Sequence, residues 1–501
     1  MVSAMTNVES MKIPEGYKQT EVGVIPDDWD SLKLGRFCEF TQGVQVPQSQ
    51  QLRNIKNGYI RYLYIRDFFT DDFPWFIRDV HPKKIMVSTD IMMVNTGNTA
   101  GTVYSGAYGV LSNNAFKITY NEKVIQRDYL FSLLRSYIVQ DSIKELFNSS
   151  GQPHVGHKNV AQVIIPVPRS SNEQTAIANA LSDVDNLIAS LETLIAKKSA
   201  IKTAAMQQLL TGKKRLPGFE GKSVKESEKQ GAKQSSELDN TSKTAQAAQI
   251  KQTSMLNSDL YKESGEGLDE KSNQQSDVGN ANNKQTAPRP GYKQTELGEI
   301  PEDWEAGMFG DYLEHCTSGA TPYRGTPEFY KGGIRWITSG ELNYNVITDT
   351  IEKVSTDAVK KTNLKVHPIG TFLIAITGLE AAGTRGSCGT VGAPSTTNQS
   401  CMALYTNHRL STDYLFHYYV YMGDELAFKY CQGSKQQSYT AKIVKLLPIT
   451  VPTSVEEQIT IASVLSDMDT ELNALQQRLS KTQKIKQGMM QELLTGKTRL
   501  I

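Results

Sequence analysis

The phrase GYKQTEVGVIPDDW, beginning at Gly16, returns as GYKQTELGEIPEDW at Gly291, 275 residues further on. EQTAIANALSDVD from Glu173 returns as EQITIASVLSDMD from Glu457, and LLTGKKRL from Leu209 as LLTGKTRL from Leu493, both at an offset of 284. The chain is therefore a duplication whose units share a constant opening and a constant end. Between them lies a divergent body that has gained residues in the second copy. Two copies are too few for a solenoid and suit a pair of domains related by internal two-fold symmetry.

The constant ends read as long helices. Apolar residues recur at alternating steps of four and three: Ile177, Leu181, Val184, Ile188, Leu191 and Ile195 in the first, Ile461, Leu465, Met468, Leu472, Leu475 and Leu479 in the second. That spacing makes a narrow seam suited to a partner helix rather than a broad core-facing stripe, so the two seams are expected to meet each other. Glu173–Leu210 spans roughly 57 Å at 1.5 Å per residue. Gly212 and Gly496 suit the left-handed position just past a helix end, and Lys213, Lys214, Arg215, Lys497 and Arg499 complement the dipole there.

The bodies read as mixed α/β or β-rich. Runs such as YIRYLYIR and GTFLIAIT alternate like strands, and SGATPYRGTPEFYKGG (318–333) reads as a long loop. Residues 128–147 and 412–430 each read as one helix, with Asp128 and Thr412 as cap candidates. Trp29, Trp304, Tyr62 and Trp336 read as core. Residues 220–289 are rich in Lys, Ser, Gln, Asn and Glu, with Tyr261 their one aromatic, and read as a disordered linker. The resulting plan is a tail (1–15), body one (16–170), helix one (171–215), linker (216–290), body two (291–454) and helix two (455–501).

Composition excludes several classes. No apolar run approaches the roughly 18 residues of a membrane span, and the N-terminal residues lack a secretion-signal pattern. Five scattered cysteines without a C-x-x-C fit a reducing cytoplasm and argue against a zinc or disulfide framework. TGKT at 495–498 lacks the upstream glycine of a phosphate loop and ends a helix instead of opening one. HVGH at 154–157 has no ligand partner nearby in sequence and reads as a loop histidine pair. No nucleophile elbow, methyltransferase motif or nuclease carboxylate set is present, so the chain is expected to be non-catalytic and to hold no cofactor or metal.

Two divergent readers on one constant frame match the two-fold symmetry of duplex DNA, whose half-sites lie roughly 34–36 Å apart for paired readers. The net charge of +1 is low for a nucleic-acid binder, so positive charge would have to gather locally. Candidate phosphate and base contacts in body one are Arg53, Lys56, Arg61, Arg66, Asn98, Asn113 and Gln152. In body two they are Tyr323, Arg324, Lys331, Arg335, Gln399, Lys435 and Gln436. Arg and Lys suit phosphates and guanine O6/N7, and Asn and Gln suit adenine. A non-catalytic protein scaffold with paired helices and two adaptor domains is the alternative.

The order of these elements, occurring twice, resembles the DNA-specificity subunits of type I restriction–modification enzymes. The resemblance is carried by SGATPYRGTPEFYKGGIRWITSGEL, GYKQTEVGVIPDDW, Gln152 and Gln436 ahead of IPVP and ITVP, EQTAIANALSDVD and LLTGKKRL. It covers nearly the whole chain outside the tail and linker. Body one departs from it, with TQGVQVPQ where a Ser-Gly-x-Thr-Pro run is usual. The resemblance implies an α+β fold: two pseudo-two-fold-related mixed α/β target-recognition domains separated by an antiparallel coiled coil of two long helices. It implies double-stranded DNA as ligand and two methyltransferase subunits as partners, which carry the S-adenosylmethionine. It also implies translocase–nuclease subunits for restriction, in the cytoplasm.

Overall fold

The computed structural model describes residues 13–147, 152–220, 288–381, 383–431 and 437–500. Most of the tail and nearly all of the linker expected from sequence fall outside these residues, as do Lys435 and Gln436. The chain divides into two units, Met1–Thr193 with Gln476–Ile501, and Leu194–Leu475. Each unit combines one body with part of both long helices.

In the first unit the repeated opening forms a hairpin, β1 (Tyr17–Thr20) against β2 (Gly23–Pro26), and continues into β3 (Trp29–Lys33). The main antiparallel sheet has the order β4 (Cys38–Gln42), β11 (Ala115–Tyr120), β8 (Ile91–Val94), β9 (Val103–Ser105). A second sheet runs β6 (Trp75–Arg78), β5 (Tyr59–Leu63), β10 (Gly109–Leu111), β7 (Ile85–Met86), with β5 and β10 parallel. The short apolar run of β8 is buried on both faces. By strand alternation Ile91 and Met93 join one cluster with Leu130 and Leu133, while Met92 and Val94 join another with Leu63, Met86 and Leu111. The main sheet is thus a middle layer between helices and the second sheet. β12 (Ile164–Pro168) pairs with β3, setting Pro168 opposite Trp29.

The second unit repeats this plan. Its hairpin is β13 (Tyr292–Thr295) with β14 (Gly298–Pro301), and β15 (Trp304–Met308) pairs with β24 (Pro448–Pro452), Trp304 opposite Pro452. The main sheet is β16 (Leu313–Ser318), β23 (Cys401–Thr406), β20 (Phe372–Ala375), β21 (Cys388–Val391), extended by β18 (Asn345–Ile347). The second sheet is β19 (Lys353–Val354), β17 (Ile334–Ile337), β22 (Ser395–Thr397), again with one parallel pair, β17 with β22. Trp29, Tyr62, Trp304 and Trp336 are all buried.

Two helix expectations need correction. Residues 128–147 form two helices, α1 (Arg127–Leu134) and α2 (Tyr137–Glu145), the first preceded by Gln126 rather than Asp128. The chain breaks where the buried Ser136 hydroxyl donates to the Leu133 carbonyl at 2.6 Å, and the restart turns Val139 and Ile143 into the core. The helix of body two is single, but its cap is Ser411, whose side chain accepts from Tyr414 N; Thr412 is its first residue.

The long helices are α3 (Ser171–Leu209) and α5 (Val455–Leu493), with α4 (Thr412–Tyr430) between them in sequence. Ser170 and Ser454 cap the long pair through the amides of Glu173 and Glu457. Within each unit the two helices run antiparallel. In the second unit Lys198 pairs with Glu471 and Lys202 with Asp469, partner numbers falling as they rise along α3. In the first, Lys486 of α5 pairs with Asp185 of α3, the counterpart of Lys202–Asp469 at the 284-residue offset. All twelve seam positions are buried or half-buried, and Leu187, Leu194 and Ile485, off the seam, are exposed.

The repeated phrases dock on each other crosswise. Leu493 and Leu494, at the end of α5, lie in the first unit's core with Ile25, Trp29, Ile177 and Leu181. Leu209 and Leu210, at the end of α3, lie in the second unit's core with Ile300, Trp304, Ile461 and Leu465. Tyr17 Oη donates to Gly496 O at 3.0 Å, and Tyr292 Oη to Gly212 O at 3.1 Å. Gly212 and Gly496 have φ of +68° and +72°, and a Cβ there would stand 2.4 Å and 2.5 Å from Pro301 Cδ and Pro26 Cδ. Glycine is required twice over, by conformation and by this close approach.

Arg215 closes its junction with paired bonds to Asp303 (2.8 and 3.0 Å) and Glu457 (2.6 and 2.7 Å). Arg499 makes the same set with Asp28 (3.0 and 2.8 Å) and Glu173. These arginines therefore do more than complement a dipole: each clamps the acidic PDDW or PEDW phrase to the first turn of a helix. The Arg499 guanidinium holds the Asp28 carboxyl below its usual range.

Candidate nucleic-acid interface

At one end of each main sheet, four loops are stitched together by backbone hydrogen bonds. In body one the strand ends Gln42, Ala115 and Val94 lie at the same edge, because Phe116 faces Gln42 and Ala115 faces Val94. The loop after β4 is tied to the β10–β11 turn: Gly43 N donates to Ala115 O, Val44 N to Leu111 O, and Gln42 Nε2 to Asn113 O at 2.6 Å. That turn is tied to the loop after β8 by Asn95 N to Asn114 O, 2.9 Å. The β8 loop is tied to residues 152–155 by Gly97 N to Pro153 O and Val155 N to Asn95 O, both 2.9 Å. An isolated bridge joins Thr96 to His154.

Body two has the same stitching at matching places. Ala320 N donates to Thr397 O, Ile376 N to Ser400 O, Leu379 N to Gln437 O and Tyr439 N to Ile376 O. Thr377 bridges Ser438 as Thr96 bridges His154. Gly43 and Gly319 each lie so close to the neighbouring turn that a Cβ would fall 1.9 Å from the carbonyl of Ser112 or Thr397. TQG in body one thus does the backbone work of TSG in body two despite the different residues that follow.

The side chains on this edge are mostly uncharged hydrogen-bonding groups. In body one Asn98 and Gln152 are exposed, and a Cβ on Gly97, the residue before Asn98, would stand 3.4 Å from Gln152 Nε2. Asn113 is half-buried on the neighbouring turn. In body two Gln399 is exposed on the equivalent turn, where Thr321 Oγ1 donates to its Oε1. Such groups can present donors and acceptors to base edges. Thr96 and His154, the latter expected only as half of a loop histidine pair, lie amid this cluster. The shared Thr-Gly pairs at 96–97 and 377–378 were the available signal.

The candidate cations are placed elsewhere, on the second sheet and its flanking loops. Arg53 stacks over Trp75, 3.7 Å from the ring centroid, and Arg66 lies over Tyr64 at 5.4 Å. These two and Lys56 are exposed and pair with no carboxylate among the described residues. Four others are engaged by acids: Arg61 by Asp67 and Asp71, Arg324 by Glu352, Lys331 by Glu328 and Arg335 by Asp349. The Arg324 guanidinium keeps the Glu352 carboxyl below its ordinary range. Tyr323 is 74% exposed on the loop after β16. Among the candidate cations in the described residues, those without a carboxylate partner therefore lie in body one.

Behind the edge of body two lies a buried polar triad. His367 Nδ1 meets Tyr405 Oη at 2.7 Å, and its Nε2 lies 3.3 Å from Thr397 Oγ1. Burial first, and Lys365 second, bring its pKa down to about 4, so the ring is neutral at neutral pH. It supports the turn from beneath and is not accessible to a ligand. The five cysteines are free thiols, and no helix among the described residues is long and apolar enough to cross a membrane.

Known proteins share this architecture. The model of the type I restriction modification DNA specificity domain matches residues 26–199 and 301–487, one match per repeat. The type I restriction enzyme MjaVIII specificity subunit of Methanocaldococcus jannaschii is 23% identical, over 97% of this chain and 96% of its own. The MjaIX specificity subunit of the same organism is 30% identical over 36% of this chain and 40% of its own. The crystal structure of the S subunit of a type I restriction-modification system from M. genitalium has the same fold, with a TM-score of 0.53 at 12% identity, covering 97% and 98% of the two chains. With both repeats matched over well more than half its length, the chain belongs to the type I restriction–modification DNA-specificity family.

Proposed function

We propose that each body reads one half of an interrupted DNA sequence through its loop edge, and that the paired helices fix the gap between the halves. The observation that carries this is the loop edge itself. Both bodies hold four loops in place with the same backbone bonds, yet present different side chains there: Asn98, Asn113 and Gln152 in one, Gln399 and Tyr323 in the other. A constant frame with variable letters is what a pair of readers for unlike half-sites requires.

In this role the chain supplies specificity and partner subunits supply chemistry. Two methyltransferase subunits carrying S-adenosylmethionine dock on it, and translocase–nuclease subunits add restriction, in the cytoplasm. Arg53, Lys56 and Arg66 hold phosphates beside body one. Body two, whose candidate cations are mostly paired, leans on its partners for that grip. Lys435 and Gln436 belong to the same proposed set and lie outside the described residues. Domain limits follow the repeat: bodies at 16–170 and 291–454, helices at 171–215 and 455–501.

A band shift on the complex assembled with its methyltransferase partners tests this. Binding to duplex carrying the target should weaken steeply and log-linearly with salt, as phosphate contacts demand, and the preference over scrambled duplex should persist. Binding indifferent to both salt and sequence would leave only a protein scaffold.

A further inference from the structure

His154 lies on the loop edge of body one, and its hydrogen-bond polarity can be worked out from its neighbours. Thr96 Oγ1 lies 3.1 Å from Asn95 Oδ1 and 2.9 Å from His154 Nδ1. A hydroxyl has one hydrogen to give, and the amide oxygen of Asn95 can only accept. With the Asn95 amide turned oxygen-first toward Thr96, the Thr96 hydrogen goes to Asn95, and the contact with His154 is then carried by a proton on Nδ1. That assignment leaves Nε2 bare, as an acceptor. Nε2 has no hydrogen-bond partner among the described residues and is not a buried atom; the half-buried ring sits opposite Thr96, two residues along the chain from Gln152.

An acceptor at a DNA-facing edge selects for donors. In the major groove the only base donors are the exocyclic amino groups, N6 of adenine and N4 of cytosine. Taking the loop edge as the DNA-reading face, we infer that His154 is a specificity-determining residue of body one, its Nε2 accepting from the amino group of one base in that half-site. Thr96 is the positioning residue that fixes the ring and its tautomer. Body two has Ser438 at the bridged position, a hydroxyl that can donate as well as accept, so an acceptor-only group is peculiar to body one.

The test is to sequence methylated bases in cells carrying the full chain with its methyltransferase partners, for wild type, His154→Leu, His154→Gln and His154→Lys. Leu offers no acceptor, and it should relax one letter of one half-site, raising methylation at sites with the wrong base there by about tenfold. The other half-site and the gap should stay as they were. Gln, which keeps an acceptor oxygen, should restore the letter. Lys, a donor only, should move the preference toward a base whose carbonyl accepts. A Leu variant with the wild-type sequence, or one that blurs both halves, overturns the inference. If Leu abolishes methylation outright, the Lys variant decides: an unchanged letter overturns, an altered one supports. A wild-type chain that yields no interrupted sequence would refute the specificity reading itself rather than the role of His154.

Discussion

Arg215 and Arg499 show how much a single repeated residue can organise. Glu457 is almost wholly buried, and burial raises its carboxyl pKa against the pull of Arg215. Removing the arginine would leave that acid, or Glu173 in the other copy, without its cation. Arg215→Ala and Arg499→Ala are each expected to cost about 3–5 kcal/mol, the usual range for breaking a buried pair from one side. The measurement is the urea unfolding midpoint, and a variant that unfolds with wild type would mean the clamp is ornamental. The histidines predict a pH dependence. Burial holds both His367 and His417 near pKa 4, below the ordinary value of 6.5. The unfolded chain takes up those protons first, so the stability is fully present above about pH 6.5 and is lost as pH falls toward 4. Each contributes on the order of 3 kcal/mol at most. His417→Gln, which removes one such group, should flatten the fall of the unfolding midpoint between pH 6.5 and 4.5. An unaltered slope would show that His417 is not part of it.

Among the elements, the helices were the most legible in sequence, yet two features of them were not. The four-and-three spacing gives the buried face, because periodicity records which side of a helix is dry. It does not record that the seam continues through Lys198, Lys202 and Lys486, where hydrophobic counting stops but the lysines reach acids on the facing helix. Nor does it show that LLTGK docks on the other copy's IPDDW or IPEDW, a contact between segments 80 to nearly 480 residues apart. The break at Ser136 was hidden for a similar reason: the apolar pattern continues across it, and only a local hydroxyl bond ends the helix. Four residues inserted into both α3 and α5 add one turn, about 6 Å, near two base-pair steps of about 3.4 Å, and a four-residue stutter keeps the seam passable. Methylation mapping should then show the gap widened with both half-site sequences unchanged; an unchanged gap would take the spacing role away from the helices.

For the molecule as a whole, the duplication made the fold class and the family readable before any coordinates. The candidate interface was readable only in part. Asn98, Asn113 and Gln152 share an edge because the loops bearing them are stitched together, whereas Arg324 and Arg335 are held by the sequence-remote acids Glu352 and Asp349, and Arg61 and Lys331 by acids close by in sequence, Asp67 and Glu328. Residue type tells which groups can touch DNA; the sheet edge decides which of them share a surface. The central claim is that two unlike readers serve one interrupted site, and genome-wide mapping of methylated adenines with and without this chain tests it most directly. The account predicts methylation that depends on the chain and falls at one two-part sequence with a fixed gap. Alanine changes at Asn98 and Gln152 should disturb one part only. Methylation without a consensus, or a consensus that is one uninterrupted block, would contradict it.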